Sequence, residues 1–115
     1  MKGEVQMNIF LDDDFVYRKA PQGFVHIDNI IDCKKLLEAK EVDILSLDHD
    51  LGQDSVTGEI YESYPLALWM VEHEIYPLKA IYIHTSNSVG RANLYQLLNR
   101  YKPQHLKVYP YPYQG

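Results

Sequence analysis

Ile44-Leu45-Ser46-Leu47-Asp48-His49-Asp50 runs from a mostly apolar stretch straight into a carboxylate, an imidazole and a second carboxylate. A short apolar run that ends this way reads as a buried parallel strand whose carboxyl end opens onto solvent. The same transition occurs twice more: Ile9-Phe10-Leu11 runs into Asp12-Asp13-Asp14, and Ala80-Ile81-Tyr82-Ile83 runs into His84-Thr85-Ser86-Asn87. In an open α/β sheet, ligands bind at that carboxyl edge. If the three strands are neighbours, five carboxylates, two imidazoles and several hydroxyl and amide groups share one crevice. Carboxylates packed so closely repel one another, and protons or a hard cation must offset the repulsion.

The segments between these runs carry helical spacing. Ile30, Ile31, Cys33, Leu36 and Leu37, behind an N-cap at Asp28 or Asn29, predict a helix to about Lys40. Leu66, Leu68, Trp69, Val71 and Glu72 mark a second helix that Pro77 stops, and Leu94, Leu97 and Leu98 mark a third over residues 90–101. Strands are expected at 7–11, 24–27, 43–47, 80–83 and 106–109, with a polar, glycine-bearing loop over 51–61. Alternating strands and helices predict a single α/β domain over residues 1–115, a three-layer sandwich whose five-stranded parallel sheet is covered on both faces. The link between the first two strands is too short for a full helix with its loops, so the first crossover is shortened. Tyr109-Pro110-Tyr111-Pro112-Tyr113 predicts an extended covering segment.

Bulk properties restrict the setting. A chain of 115 residues is one domain of ordinary size. Its net charge of −5 and pI of about 5.4 argue against nonspecific binding along duplex nucleic acid. A single cysteine, Cys33, excludes an internal disulfide, suits a reducing compartment and reads as a packed helix residue. With no signal-peptide pattern and no apolar run near the ~20 residues of a membrane span, a cytoplasmic location without membrane partners is expected. The tyrosine-rich exterior leaves room for a homodimer or a protein partner.

The crevice residues suit phosphate chemistry. Asp12, Asp13, Asp48 and Asp50 are candidate ligands for a divalent metal, Mg²⁺ or Mn²⁺, because hard cations prefer carboxylate oxygens. A mixed carboxylate and imidazole set also suits Fe²⁺ or Zn²⁺. Opening a cyclic phosphate needs one group to help water attack and another to supply a proton to the departing alkoxide. Asp48, His84 and His49 are the candidate catalytic residues, with His84 first choice for acid or base. Thr85, Ser86 and Asn87 form the turn into the third helix, where amide groups can bind an anion. Arg91, unfavourably placed for the helix dipole, either grips phosphate or bends into solvent.

The acidic pair Asp12-Asp13, then Asp48, Thr85 and Tyr109-Pro110, resembles the pattern of response-regulator receiver domains. On that alignment Asp12 and Asp13 match the metal-binding pair, Asp48 the phosphoacceptor and Thr85 the hydroxyl residue. Receivers place a lysine where this chain has Tyr109, which argues against phospho-aspartate signalling. Ser46-Leu47-Asp48-His49-Asp50-Leu51-Gly52 and the stretch from His84 to Asn93, with Leu11-Asp12-Asp13, more closely resemble the cyclic-phosphate-processing receiver domain family over nearly the whole chain. That resemblance implies a receiver/flavodoxin-like fold and metal-assisted processing of a cyclic phosphate or other phosphoester of a nucleotide or related metabolite. The alternative is a noncatalytic receiver-like binding or regulatory module.

Overall fold

The computed structural model describes residues 6–53, 56–58 and 60–114. Strand β1 (Met7–Leu11) pairs in parallel with β2 (Phe24–Ile27) on one side and β3 (Val42–Leu47) on the other. Strands β6 (Ala80–Ile83) and β7 (Lys107–Tyr109) continue the sheet in the order β2-β1-β3-β6-β7, all parallel. Helices α1 (Ile30–Glu38), α2 (Tyr64–His73) and α3 (Ser88–Tyr101) make the long crossovers. The α/β class and the five-stranded parallel sheet expected from the sequence are therefore present.

Side chains alternate along each strand, so the register assigns every sheet residue to a face. Ile9, Leu11, Leu45, Leu47, Ile81, Ile83 and Val108 share one face. They form a single buried core with Cys33 and Leu37 of α1, Leu66 and Met70 of α2, and Leu94 and Leu98 of α3. All three helices thus cover the same face. Handedness explains this: from the edge strand β2 every later crossover steps the same way across the sheet, and right-handed connections then fall on one side. The opposite step, from β1 to β2, contains no helix.

The second face carries Phe10, Phe24, His26, Ser46, Tyr82 and Tyr109, and its cover is aromatic rather than helical. Tyr113 crosses the sheet, with its ring 4.9 Å from Phe24 at one edge and 5.2 Å from Tyr82 near the other. Tyr109 stacks on Tyr82 at 4.8 Å. The tail expected to cover the sheet supplies the layer for which the chain has no helix.

Three local features differ from expectation. A hairpin of β4 (Asp50–Gln53) and β5 (Ile60–Glu62) stands where a loop was expected, although residues 54, 55 and 59 of that stretch lie outside the described residues. Helix α2 ends at His73, before Pro77, because Glu74 adopts φ 54° and caps it, donating its N–H to the Met70 and Val71 carbonyls. Helix α3 begins at Ser88, two residues early, with Asn87 as its N-cap. No described helix is long and apolar enough to cross a membrane.

Candidate functional site

Asp12, Asp48 and His84 each follow the last residue of a neighbouring strand. Each lies two positions beyond a residue of the aromatic face, namely Phe10, Ser46 and Tyr82. Their side chains therefore rise on one side of the sheet at its carboxyl edge. All three residues are buried, and one ligand atom from each lies within 4.8 Å of the others, so the group can hold a metal ion.

The hydrogen bonds fix the imidazole. Asp12 Oδ2 lies 3.0 Å from His84 Nε2, and Ser46 Oγ lies 2.7 Å from Nδ1. Burial pulls the His84 pKa down to about 4 despite the opposing pull of Asp48. The ring is thus neutral near pH 7, Nε2–H donates to Asp12 and the Ser46 hydroxyl donates to Nδ1. This chain of contacts has the connectivity of a serine-histidine-aspartate triad. Ser46, however, is 1% exposed in the central strand β3, beneath the His84 ring, so it orients the ring. Phe10 stacks on that ring at 4.1 Å.

Burial raises the pKa of both Asp12 and Asp48, because a desolvated carboxylate resists ionising. For Asp48 a hydrogen bond from Thr85 opposes the rise; for Asp12 one from the Asp14 amide does so. The positive charge facing the pair comes from Arg18. Its Nη1 stands 3.6 Å from Asp12 and 3.8 Å from Asp48, donates to the His84 carbonyl at 3.0 Å, and leaves Nη2 on Ser86 Oγ at 3.3 Å. The Arg18 side chain is 32% exposed, against 0% for Asp12 and 8% for Asp48, so it forms the mouth of the site.

The loop after β1 delivers Arg18 by a run of local hydrogen bonds. Asp12 Oδ1 accepts the amide of Asp14, and Asp14 Oδ1 accepts those of Val16 and Tyr17 at 3.0 and 2.9 Å. Asp14 thus braces the turn, and the hydrogen bond from Tyr17 lowers its pKa. Phe15 stacks on His26 at 3.8 Å, and His26 Nε2 donates to the Asp12 carbonyl at 2.8 Å. Sequence reading missed Arg18, Ser46 and His26. A lone arginine in a loop carries no motif, and Ser46 and His26 gain meaning only from strand register.

The other sequence candidates go elsewhere. His49 follows Asp48 and points to the opposite side of β3. Its Nδ1 pairs with Asp50 at 2.9 Å, and its ring lies so close to Gly90 of α3 that a Cβ there would collide with it. Asp50 also accepts from Asn87 Nδ2 at 3.3 Å. Asn87 Oδ1 caps α3 by accepting the Gly90 amide at 2.9 Å. Arg91 Nη2 donates to the Thr85 carbonyl at 2.8 Å and holds the turn leading into α3. Asp13 is exposed on the helical side, where its carboxylate lies against Gly52. The compact carboxylate and imidazole group therefore contains Asp12 and Asp48 of the expected ligands, joined by His84.

The sequence model of the family described as the cyclic-phosphate processing receiver domain matches residues 7–100. No curated protein and no solved structure matches the chain. The matched span runs from the start of β1 to within one residue of the end of α3, and so includes every residue of the Asp12, Asp48, His84 and Arg18 group. With four of the five strands of a parallel α/β sheet and the whole edge cluster inside the match, this chain belongs to the cyclic-phosphate processing receiver domain family.

Proposed function

We propose that this domain hydrolyses a cyclic phosphate, or a related phosphoester, of a nucleotide or similar metabolite. The observation that carries this reading is the buried Asp12, Asp48 and His84 group with the Arg18 guanidinium at its mouth. A guanidinium sits against two carboxylates whose ionised forms burial disfavours, and an oxygen and nitrogen donor set of this kind suits Mn²⁺ or another divalent metal. Asp12, Asp48 and His84 would hold it, His84 through Nε2 in the other tautomer, with Nδ1–H donated to Ser46 Oγ as the outer partner that orients the imidazole. When bound, the metal supplies charge neutralisation at phosphoryl oxygen and acidifies water.

The chain's own residues divide the remaining work. Arg18 and Ser86 meet the phosphoryl oxygens at the mouth, where a guanidinium fork matches phosphate geometry. Arg18 supplies from the first loop the charge that receivers supply from the lysine replaced by Tyr109. Asp48, the more exposed of the two clustered carboxylates, receives the proton of the attacking water. Water adds to phosphorus, one ring P–O bond breaks, the departing sugar oxygen takes a proton from solvent water and Asp48 returns its own to solvent, leaving a phosphomonoester.

Phosphorus NMR of purified protein with Mn²⁺ or Mg²⁺ and a panel of 2′,3′-cyclic nucleotides and sugar cyclic phosphates tests this. Ring opening is expected in the native protein and absent in Asp48→Asn and His84→Ala. No turnover across the panel, with metal still bound, would favour the second reading, a noncatalytic module. One observation favours that alternative: both ring nitrogens of His84 already have protein partners.

A further inference from the structure

On the other side of the β1 end from Arg18 lies a cavity of about 450 Å³. Asp13, Asp28, Ile31, Leu51, Gly52 and Tyr61 line it, drawn from the end of β1, the start of α1 and the β4–β5 hairpin. Its volume lies within the range of small-molecule sites. Its chemistry is opposite to that of the Arg18 mouth. Two carboxylates and apolar or aromatic side chains line it, with no basic side chain among the described lining residues. Such a wall repels phosphate and favours an uncharged, flat group that presents hydrogen-bond donors.

The acceptors are held in place. Asn29 Nδ2 donates to Asp28 Oδ1 at 2.9 Å, while its Oδ1 is occupied in capping α1 at the Asp32 amide. Gly52, at φ 94°, leaves room for the Asp13 carboxylate that any Cβ would displace. Ile31 and Tyr61 present exposed faces. Consecutive residues of β1's end thus serve two compartments, with Asp12 in the phosphate-facing cluster and Asp13 in the cavity.

We propose that this cavity is a nucleoside subsite. The base lies against Ile31 and Tyr61, its N–H groups donate to Asp13 and Asp28, and the attached phosphate is directed over the β1 end toward Arg18. The inference rests on the phosphoester reading above and narrows it to nucleotides whose base presents amino donors: guanine, adenine or cytosine in preference to uracil.

The test uses nucleosides without phosphate, so that it does not depend on turnover. Isotope-labelled protein is titrated separately with guanosine, adenosine, cytidine, uridine and inorganic phosphate, and amide resonances are followed. Amino-bearing nucleosides should shift Ile30, Ile31, Gly52 and Tyr61, with uridine binding about tenfold more weakly. Asp28→Asn and Tyr61→Ala should each weaken nucleoside binding by about tenfold while leaving phosphate binding unchanged, and Tyr61→Phe should restore it. Arg18→Ala should do the reverse, losing phosphate and keeping nucleoside. Nucleosides that leave the cavity resonances unmoved while phosphate shifts those around Arg18 would overturn the subsite alone. Phosphate that fails to bind, with nucleosides still seated, would count against the phosphoester reading and leave the subsite standing.

Discussion

Arg18→Ala removes a cation that stands 3.6 Å from Asp12 and 3.8 Å from Asp48. Two effects follow from one change: the carboxyl groups lose a neighbour that favours their ionised forms, and the phosphoryl oxygens lose their guanidinium. In the proposed reaction kcat/KM should fall about 10²-fold or more, the scale seen when one donor to developing charge is removed. Arg18→Lys should recover only part of it, because an ammonium lacks the fork. Equal activity in all three proteins by phosphorus NMR would remove Arg18 from the site. His84 gives a second test, with its sign fixed by linkage. As pH falls below 6.5 the unfolded chain binds a proton that native His84 refuses until about pH 4, so stability drops across that window. Asp12 and Asp48 act in the opposite sense, since their raised pKa values let the folded protein take up protons first. In chelator-treated samples, His84→Gln should lose less stability than the native protein between pH 6.5 and 4, read by urea denaturation at each pH. Parallel losses would show that the ring is not held neutral. Asp12, Asp48 and His84 were legible because each ends an apolar run, whereas Arg18 was not. It reaches the cluster only through the turn that Asp14 builds, and a turn's destination is not written in its composition.

Helix α3 packs its first turn on the segment after β3 through a close approach of the His49 ring to Gly90. Alanine normally favours a helix over glycine by about 1 kcal/mol, yet Gly90→Ala would drive a methyl group into the imidazole. We expect a loss of about 2 kcal/mol in denaturant unfolding, and a gain in the His49→Ala background, where the methyl has room. A cycle in which the two changes simply add would refute the wedge. This role for His49 belongs to the packing between elements, whereas the run Asp48-His49-Asp50 read as sequence pointed to chemistry for His49 and Asp50 as well as Asp48. Helices were legible from their apolar spacing, and their ends less so. Glu74, a residue with no preference for the left-handed region, closes α2 four residues after Met70. The β4–β5 hairpin escaped detection because Asp50, Gly52 and Glu62 break any apolar alternation, and its pairing register shifts between Asp50 and Gln53. That same hairpin brings Leu51, Gly52 and Tyr61 to the cavity wall, so the part of the molecule least visible in sequence is a part that shapes the cavity.

At the scale of the whole molecule the parallel sheet could be anticipated, because buried strands alternating with helices admit few topologies. That all three helices share one face could not. Placing every helix on one face follows from the strand order β2-β1-β3-β6-β7, a three-dimensional fact that spacing does not contain. A parallel sheet left bare on one side would expose Phe24 and Tyr82 to water, and the tail lays the Tyr113 ring against both. Tyr113 reaches across from Tyr82 to Phe24, whereas Tyr111 is 44% exposed at the margin. Tyr113→Ala should therefore cost about 1–2 kcal/mol in denaturant unfolding, and Tyr111→Ala under about 0.5 kcal/mol. Tyr113→Phe should retain native stability, since the rings and not the hydroxyl make these contacts. The same face supports the site, because Phe10 stacks on His84 and His26 holds the Asp12 carbonyl. Loosening the aromatic layer should thus reach the edge cluster. Tyr113→Ala is expected to weaken metal binding at Asp12, Asp48 and His84 although it touches none of them, and calorimetric titration with Mn²⁺ reads this directly. Unchanged affinity in a destabilised variant would mean that the carboxyl edge holds its geometry from the helical side alone.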